Sequence, residues 1–258
     1  MSSTKNVSSG VRLEVSGLNR SFDGRPVLKD IQFHVEPGEV FVIMGPSGSG
    51  KSVLLKHLIG LEAPDTGDIR VEGEDISDPK VRDRFRMAMV FQSGALLSSL
   101  TVGQNVGLYL TEHRLKSPYE IREVVRKNLA LVGLKDVEDQ YPAQLSGGMK
   151  KRVAIARALI IEPHLIFYDE PTSELDPLMA TVVGKEITKL NQRTGVTSVV
   201  VTHDRELALG IANRIAIIRD GEILMVGTPE SLRQETDPFI QEFLLAGQHA
   251  QTSITPTS

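Results

Sequence analysis

The feature that most constrains this chain is an unbroken apolar run, Val40 to Met44, opening directly into Gly45-Pro46-Ser47-Gly48-Ser49-Gly50-Lys51-Ser52. Such a run suits a strand buried on both faces, as in parallel sheets flanked by helices. The Gly-rich turn lets the backbone curl so that successive N–H groups point inward at an anion. Val53, Leu54, Leu55 and Leu58 continue as a helix stopped by Gly60, whose N-terminus adds partial positive charge. Strand, loop and helix in that order read as a P-loop. Residues Gly45 to Val53 would cradle the phosphates of ATP, Lys51 would reach the β- and γ-phosphates, and the Ser52 hydroxyl would ligate Mg²⁺. A Gly-rich turn that matches by accident is the competing reading, and the strand-to-helix placement counts against it.

Elsewhere short apolar strands alternate with amphipathic helices, the pattern of a mostly parallel α/β sheet. Leu165 to Tyr168 and Val199 to Val201 read as further buried strands, and Met87 to Phe91 as another. Arg12 to Val15 and Ile31 to Val35 alternate better and suggest an antiparallel edge layer. Asp220-Gly221, between two apolar runs in Ile215 to Val226, signals a hairpin. From Ser93 to about Leu159 the strand signals vanish. Ser117-Pro118-Tyr119-Glu120 has the spacing of a capping box, and Ile121, Val124, Val125, Leu129 and Val132 fall on one helical face before Gly133. The expected organisation is an α/β core over residues 11–92 and 160–236, with a helical subdomain inserted at 93–159. Residues 1–10 read as a disordered tail and 237–258 as a C-terminal tail, which includes a short helix at Pro238 to Leu245 and disorder beyond Gly247.

Two further motifs carry chemistry. Leu165 to Tyr168 ends in Asp169-Glu170. Acidic residues often end strands for no catalytic reason. Behind a P-loop, however, the pair becomes the expected second half of a phosphoryl-transfer site, with Asp169 holding Mg²⁺ and Glu170 polarising the attacking water. Leu145-Ser146-Gly147-Gly148-Met149 opens a helix with Met149, Val153, Ala156 and Ile160 on one face and Lys150, Lys151, Arg152 and Arg157 off it. Alone, Ser-Gly-Gly could be a mere cap. Between P-loop and acidic strand, it resembles the signature of ABC transporter ATPase subunits, usually Leu-Ser-Gly-Gly-Gln.

That resemblance spans Val11 to about Leu245 and implies a P-loop NTPase core of RecA-like type, mostly parallel with antiparallel edge strands. It implies a head-to-tail dimer in which Ser146, Gly147 and Gly148 meet the nucleotide of a second copy of the chain, as an anion-binding helix terminus. Gln92 would match the Q-loop glutamine, sensing Mg²⁺ and water. His203 would match the switch histidine, contacting the γ-phosphate and orienting Glu170. Ser173-Glu174-Leu175-Asp176 would match the D-loop, with Asp176 near nucleotide across the interface. Phe22 stands where an aromatic residue, commonly Tyr, stacks on adenine; a buried core Phe is the other reading. Met149 and Glu174 depart from the family pattern, in place of Gln and of a small residue.

Three stretches look more narrowly like the ATPases of Mla-type, MCE-associated lipid transporters: Phe91 to Leu96, the Met of Ser146-Gly147-Gly148-Met149, and Asp237 to Leu244. That likeness implies integral-membrane permease subunits, an MCE-domain lipid-binding protein, phospholipid cargo, and a peripheral place on the cytoplasmic face of the inner membrane. Leu96, Leu97 and Leu100 would then belong to a docking surface for the permease. The alternatives are an ABC importer or exporter ATPase for another solute, and a soluble non-transport ABC ATPase. Long coiled-coil insertions and a second cassette, marks of much of that last class, are not seen. No apolar run approaches the roughly 18–20 residues of a membrane-spanning helix. A net charge of −4 gives no support for nucleic acid as a partner. The chain has no Cys, so thiolate chemistry and Cys-ligated zinc are excluded.

Overall fold

The computed structural model describes residues 10–245, so the disorder expected at the two ends lies outside the described residues. The chain begins with an antiparallel hairpin, β1 (Leu13–Phe22) and β2 (Arg25–Val35), turned at Asp23-Gly24. β3 (Val40–Met44) leads through the Gly-rich loop into α1 (Lys51–Leu58). β4 (Thr66–Val71) returns to pair with β1, and β5 (Glu74–Asp75) completes an antiparallel sheet in the order β2-β1-β4-β5. α2 (Pro79–Arg84) and β6 (Met87–Val90) follow, then α3 (Val102–Glu112), α4 (Pro118–Leu131) and α5 (Gly147–Leu159) with no strand among them. β7 (Leu165–Asp169), α6 (Pro177–Thr194), β8 (Thr197–Thr202) and α7 (Arg205–Ile211) come next. The hairpin β9 (Arg214–Arg219) and β10 (Glu222–Gly227) precedes α8 (Pro229–Gln234) and α9 (Pro238–Leu245). The second sheet has the order β10-β9-β3-β8-β7-β6, parallel throughout except for the antiparallel edge strand β10.

The unbroken apolar runs are explained by what covers each face. In β3, Val40, Val42 and Met44 join the core under the helices, while Phe41 and Ile43 join the core against the antiparallel sheet. β7 divides the same way, with Ile166 and Tyr168 on one side and Leu165 and Phe167 on the other. α1 sits in the second core through Leu54, Leu55 and Leu58, and Phe33 stacks on Phe41 with ring centres 5.1 Å apart, joining the two sheets. Truncating a fully buried ring such as Phe41 to Ala would cost about 3–5 kcal/mol.

Local signals set the helix starts. Thr101 and Ser117 form capping boxes with Gln104 and Glu120, and Asp176 caps α6 ahead of Pro177 at its first turn. The strand expected at Met87 to Phe91 stops at Val90, the last residue paired with β7, and leaves Phe91 exposed. One face expectation changes. Lys151 lies off the apolar stripe of α5, yet it is buried, because the loop after β6 and the turn after β7 close over it.

Candidate functional site

β3, β8, β7 and β6 are neighbours and run the same way, so their C-terminal ends open on one edge, where open parallel sheets bind ligands. That edge receives the P-loop after Met44, His203 after Thr202, Asp169-Glu170 from β7, and Gln92 just past Val90. A cleft of about 640 Å³ there is lined by Pro46, Ser47, Gly48, Gly50, Lys51, Ser52, Val53, Gln92, Glu170 and His203, together with Val27 and Phe243.

Gly48 (φ 81°) and Gly50 (φ 101°) take left-handed conformations that turn the loop into α1. Gly50 caps α1 without a side-chain acceptor, so the first N–H groups of the helix are left for a ligand. A Cβ on Gly45 would lie 2.2 Å from the Ile218 carbonyl, so the loop rests directly on β9. Lys51 Nζ donates to the carbonyls of Gly45 at 2.8 Å and Pro46 at 2.9 Å. Burial lowers its pKa, and the charges of Glu170 and Asp169 oppose that shift.

Glu170 is buried and takes φ 45°, a strained value for a non-glycine residue, secured by its N–H bond to the Val201 carbonyl at 2.8 Å. Its Oε2 accepts from Thr202 Oγ1 at 3.0 Å and from the His203 backbone N–H at 3.2 Å, and its Oε1 is 2.9 Å from His203 Nδ1. Burial raises the pKa of Asp169 and the Glu170 charge adds to the rise, with Lys51 and Lys151 acting against it. Asp169 Oδ1 is buried with no hydrogen-bond partner. On a carboxylate whose charge acts on Lys51 of the P-loop, that lone oxygen fits a hard divalent cation such as Mg²⁺. Among the described residues no three His, Cys, Asp or Glu side chains cluster as metal ligands, so Ser52 and Asp169 would share the ion with phosphate oxygens and water.

Not every expected site residue meets in this cleft. Phe22 is 40% exposed at the end of β1 with the Arg20 guanidinium 4.6 Å above its ring, so it is not a core residue. Ser49 is buried within the loop. Ser146, Gly147, Gly148 and Asp176 lie outside the cleft lining. Ser146 Oγ accepts from Met149 N at 3.3 Å and Asp176 Oδ1 from Met179 N at 3.0 Å, each capping its own helix. A Cβ on Gly148 would sit 2.3 Å from Met179 and one on Gly147 3.2 Å from Leu175, so the signature turn packs on the segment containing Asp176. Thr202, Lys151 and Phe243 complete the surroundings of the site without a motif of their own. Thr202 adjoins His203, Lys151 follows the signature turn and Phe243 falls in the expected helix at Pro238 to Leu245, but none of the three was expected in the site.

A phosphate-binding loop, an acidic pair ending the next strand but one with its second carboxylate buried, and a histidine gripping that carboxylate define a P-loop nucleotide hydrolase. The chain belongs to the ABC transporter family, which residues 28–173 match. It is an ATP hydrolase that binds ATP with Mg²⁺. It is 37% identical over 246 residues to the probable ribonucleotide transport ATP-binding protein mkl of Mycobacterium tuberculosis, covering 94% of this chain and 68% of that protein. It is 39% identical over 255 residues to Protein TRIGALACTOSYLDIACYLGLYCEROL 3, chloroplastic, of Arabidopsis thaliana (91% and 74% covered). It is also 40% identical over 236 residues to the sulfate/thiosulfate import ATP-binding protein CysA of Bordetella bronchiseptica (90% and 66%). Among solved structures, the dimeric post-hydrolysis state of the ATP-binding cassette MJ0796 with ADP and Pi matches with TM-score 0.75 and 32% identity, covering 84% of this chain and 98% of that one. Cassettes of this family dimerise and work with membrane permease subunits. No helix among the described residues is long and apolar enough to cross a membrane.

Proposed function

We propose that this chain energises lipid transport as the ATPase subunit of a membrane transporter, held peripherally at the cytoplasmic face of the inner membrane by its permease. Glu170 acts as the general base toward the attacking water. His203 holds that carboxylate in place, and Lys51 and the P-loop amides bind the β- and γ-phosphates. Ser52 and Asp169 would hold Mg²⁺, which would supply charge neutralisation at the phosphates. Gln92 reads the occupied site, Phe22 stacks on adenine, and Ser146, Gly147, Gly148 and Asp176 serve the nucleotide of a second copy. The observation that carries the hydrolytic part is the three-point hold on Glu170 by Thr202 and His203 at the mouth of the P-loop cleft. A base must be fixed in geometry before its basicity counts.

Residues 93–159 act as the signature subdomain, inserted between core segments 11–92 and 160–236. The loop after Gln92 suits a permease contact. Asn105, fully buried, accepts from Leu97 N at 2.8 Å and donates to the carbonyls of Leu97, Leu100 and Thr101. That network holds a defined loop with Phe91 and Leu97 outside. The lipid cargo rests on the Mla-like stretches and on the relative named for a galactolipid. Other relatives carry ribonucleotide and sulfate in their names, so an importer for another solute is the competing reading. Purification of the tagged chain from native membranes in mild detergent separates the two. Recovery of a permease, an MCE-domain protein and bound phospholipid is expected, and a permease of another type without lipid would discard the cargo.

A further inference from the structure

Lys151 stands on α5, close behind the Gly147-Gly148 turn, and is 6% exposed. Its ammonium donates to the Gln92 carbonyl and, at 3.2 Å, to Ser173 Oγ. It also faces the charges of Glu174, Asp169 and Glu170. Farther along the same helix, Arg157 donates to the Gly94 carbonyl at 2.8 Å and the Ala95 carbonyl at 2.6 Å. The turn after β6 is therefore fastened to α5 at both ends. A buried ammonium is costly unless its donors and its charge are both matched, so this one depends on where Gln92, Ser173 and the carboxylates sit.

We propose that Lys151 is a positioning residue that ties the signature turn of one chain to the state of that chain's own ATP site. The inference rests on the reading above, in which Gln92 senses Mg²⁺ and water in the occupied site and Ser146 serves the nucleotide of the second copy. ATP in the cleft changes the charge around Asp169 and Glu170 and the position of Gln92. Lys151 carries that change to the N-terminal turn of α5, which forms the dimer contact. Its charge also acts on Glu174, the exposed carboxylate that replaces the small residue usual in the family. Loss of the ammonium would leave the Gln92 segment unfastened at one end and Ser173 Oγ without that donor.

The test uses the full chain in a Glu170→Gln background, reading ATP affinity by calorimetry and ATP-dependent dimer by size-exclusion with light scattering. Lys151→Met is expected to bind ATP within about twofold of its parent but to need roughly tenfold more ATP or protein to dimerise. Lys151→Arg, which keeps charge and donors, is expected to restore the dimer. Should Lys151→Met lower the melting temperature, Lys151→Gln keeps one donor for the Gln92 carbonyl without the charge, and the same loss of dimer is expected. If Glu170→Gln traps a dimer and both neutral variants leave it undiminished, the role of Lys151 is overturned while the site reading stands. If Glu170→Gln itself hydrolyses ATP at near the wild-type rate, the site reading fails and this inference fails with it.

Discussion

His203 holds both oxygens of the Glu170 carboxylate: its ring Nδ1 is 2.9 Å from Oε1, and its backbone N–H donates to Oε2 at 3.2 Å. The backbone contact survives any substitution of the side chain, whereas the ring contact does not. His203→Ala therefore leaves Glu170 tethered but free to swing about one oxygen. Turnover is expected to fall about 10²–10³-fold with ATP affinity changed no more than a few-fold. A steady-state comparison of kcat and KM checks this, and an unchanged kcat would show that the ring does not orient the base.

Asp169 allows a prediction with opposite signs for stability and for activity. Its folded pKa is raised above the ordinary carboxylate value, by burial first and by Glu170 second. A raised folded pKa means that the stability linked to this group is present at low pH and lost as pH rises through the folded value. At neutral pH the ionised Asp169 thus burdens the free protein. Asp169→Asn should raise the melting temperature of the nucleotide-free chain at neutral pH, and the gain should shrink as pH falls toward the unfolded value. The same variant should lose Mg²⁺-dependent turnover. A melting temperature lowered at neutral pH would contradict the origin assigned to the shift.

Two P-loop glycines are needed for different reasons, and alanine separates them. At Gly45 a methyl group meets the Ile218 carbonyl at 2.2 Å, which only backbone movement relieves. At Gly48 nothing lies within 4 Å, but φ is 81°. Gly45→Ala should cost about 3 kcal/mol or more and Gly48→Ala about 1 kcal/mol. Denaturant unfolding of the nucleotide-free variants gives both numbers, and equal costs would refute the contrast.

Asn105→Ala removes the amide from the loop after Gln92; the Leu97 and Thr101 carbonyls keep the backbone N–H groups of Leu100 and Asn105, whereas the Leu97 N–H and the Leu100 carbonyl lose their side-chain partner. Each group left unpaired costs on the order of 1 kcal/mol, and a loss of about 2 kcal/mol is expected. The loop should open first, so hydrogen exchange at Leu97 should accelerate more than in β3 or β7. Uniform acceleration across the sheet would show that Asn105 supports the fold as a whole.

Local chemistry in the sequence reached most of this site. Gly45 to Ser52, Asp169-Glu170 and His203 are legible because each follows a strand whose apolar run announces it. The topology then needs only neighbouring parallel strands to bring them together. β4 was not legible. Only Ile69 and Val71 are buried there, so the edge strand shows too few apolar positions to declare a period. Lys151 looked like one of several cations on a polar face, and only the fold shows segments far apart in sequence closing over it. Phe243 belongs to a helix that was expected at Pro238 to Leu245, yet its place in the wall of the P-loop cleft is a tertiary fact. Phe22 had two readings in the sequence. Its exposure disposes of the core reading.

The most direct test of the central claim is ATP turnover by Glu170→Gln, measured as phosphate release under saturating Mg²⁺-ATP beside the wild-type chain. The amide keeps the shape of the side chain and can still accept from Thr202 and the His203 backbone, but it cannot take a proton from water. Bound ATP with turnover reduced at least about a hundredfold is the predicted result. Turnover near the wild-type rate would contradict the account, because the carboxylate that Thr202 and His203 hold would then not be the base.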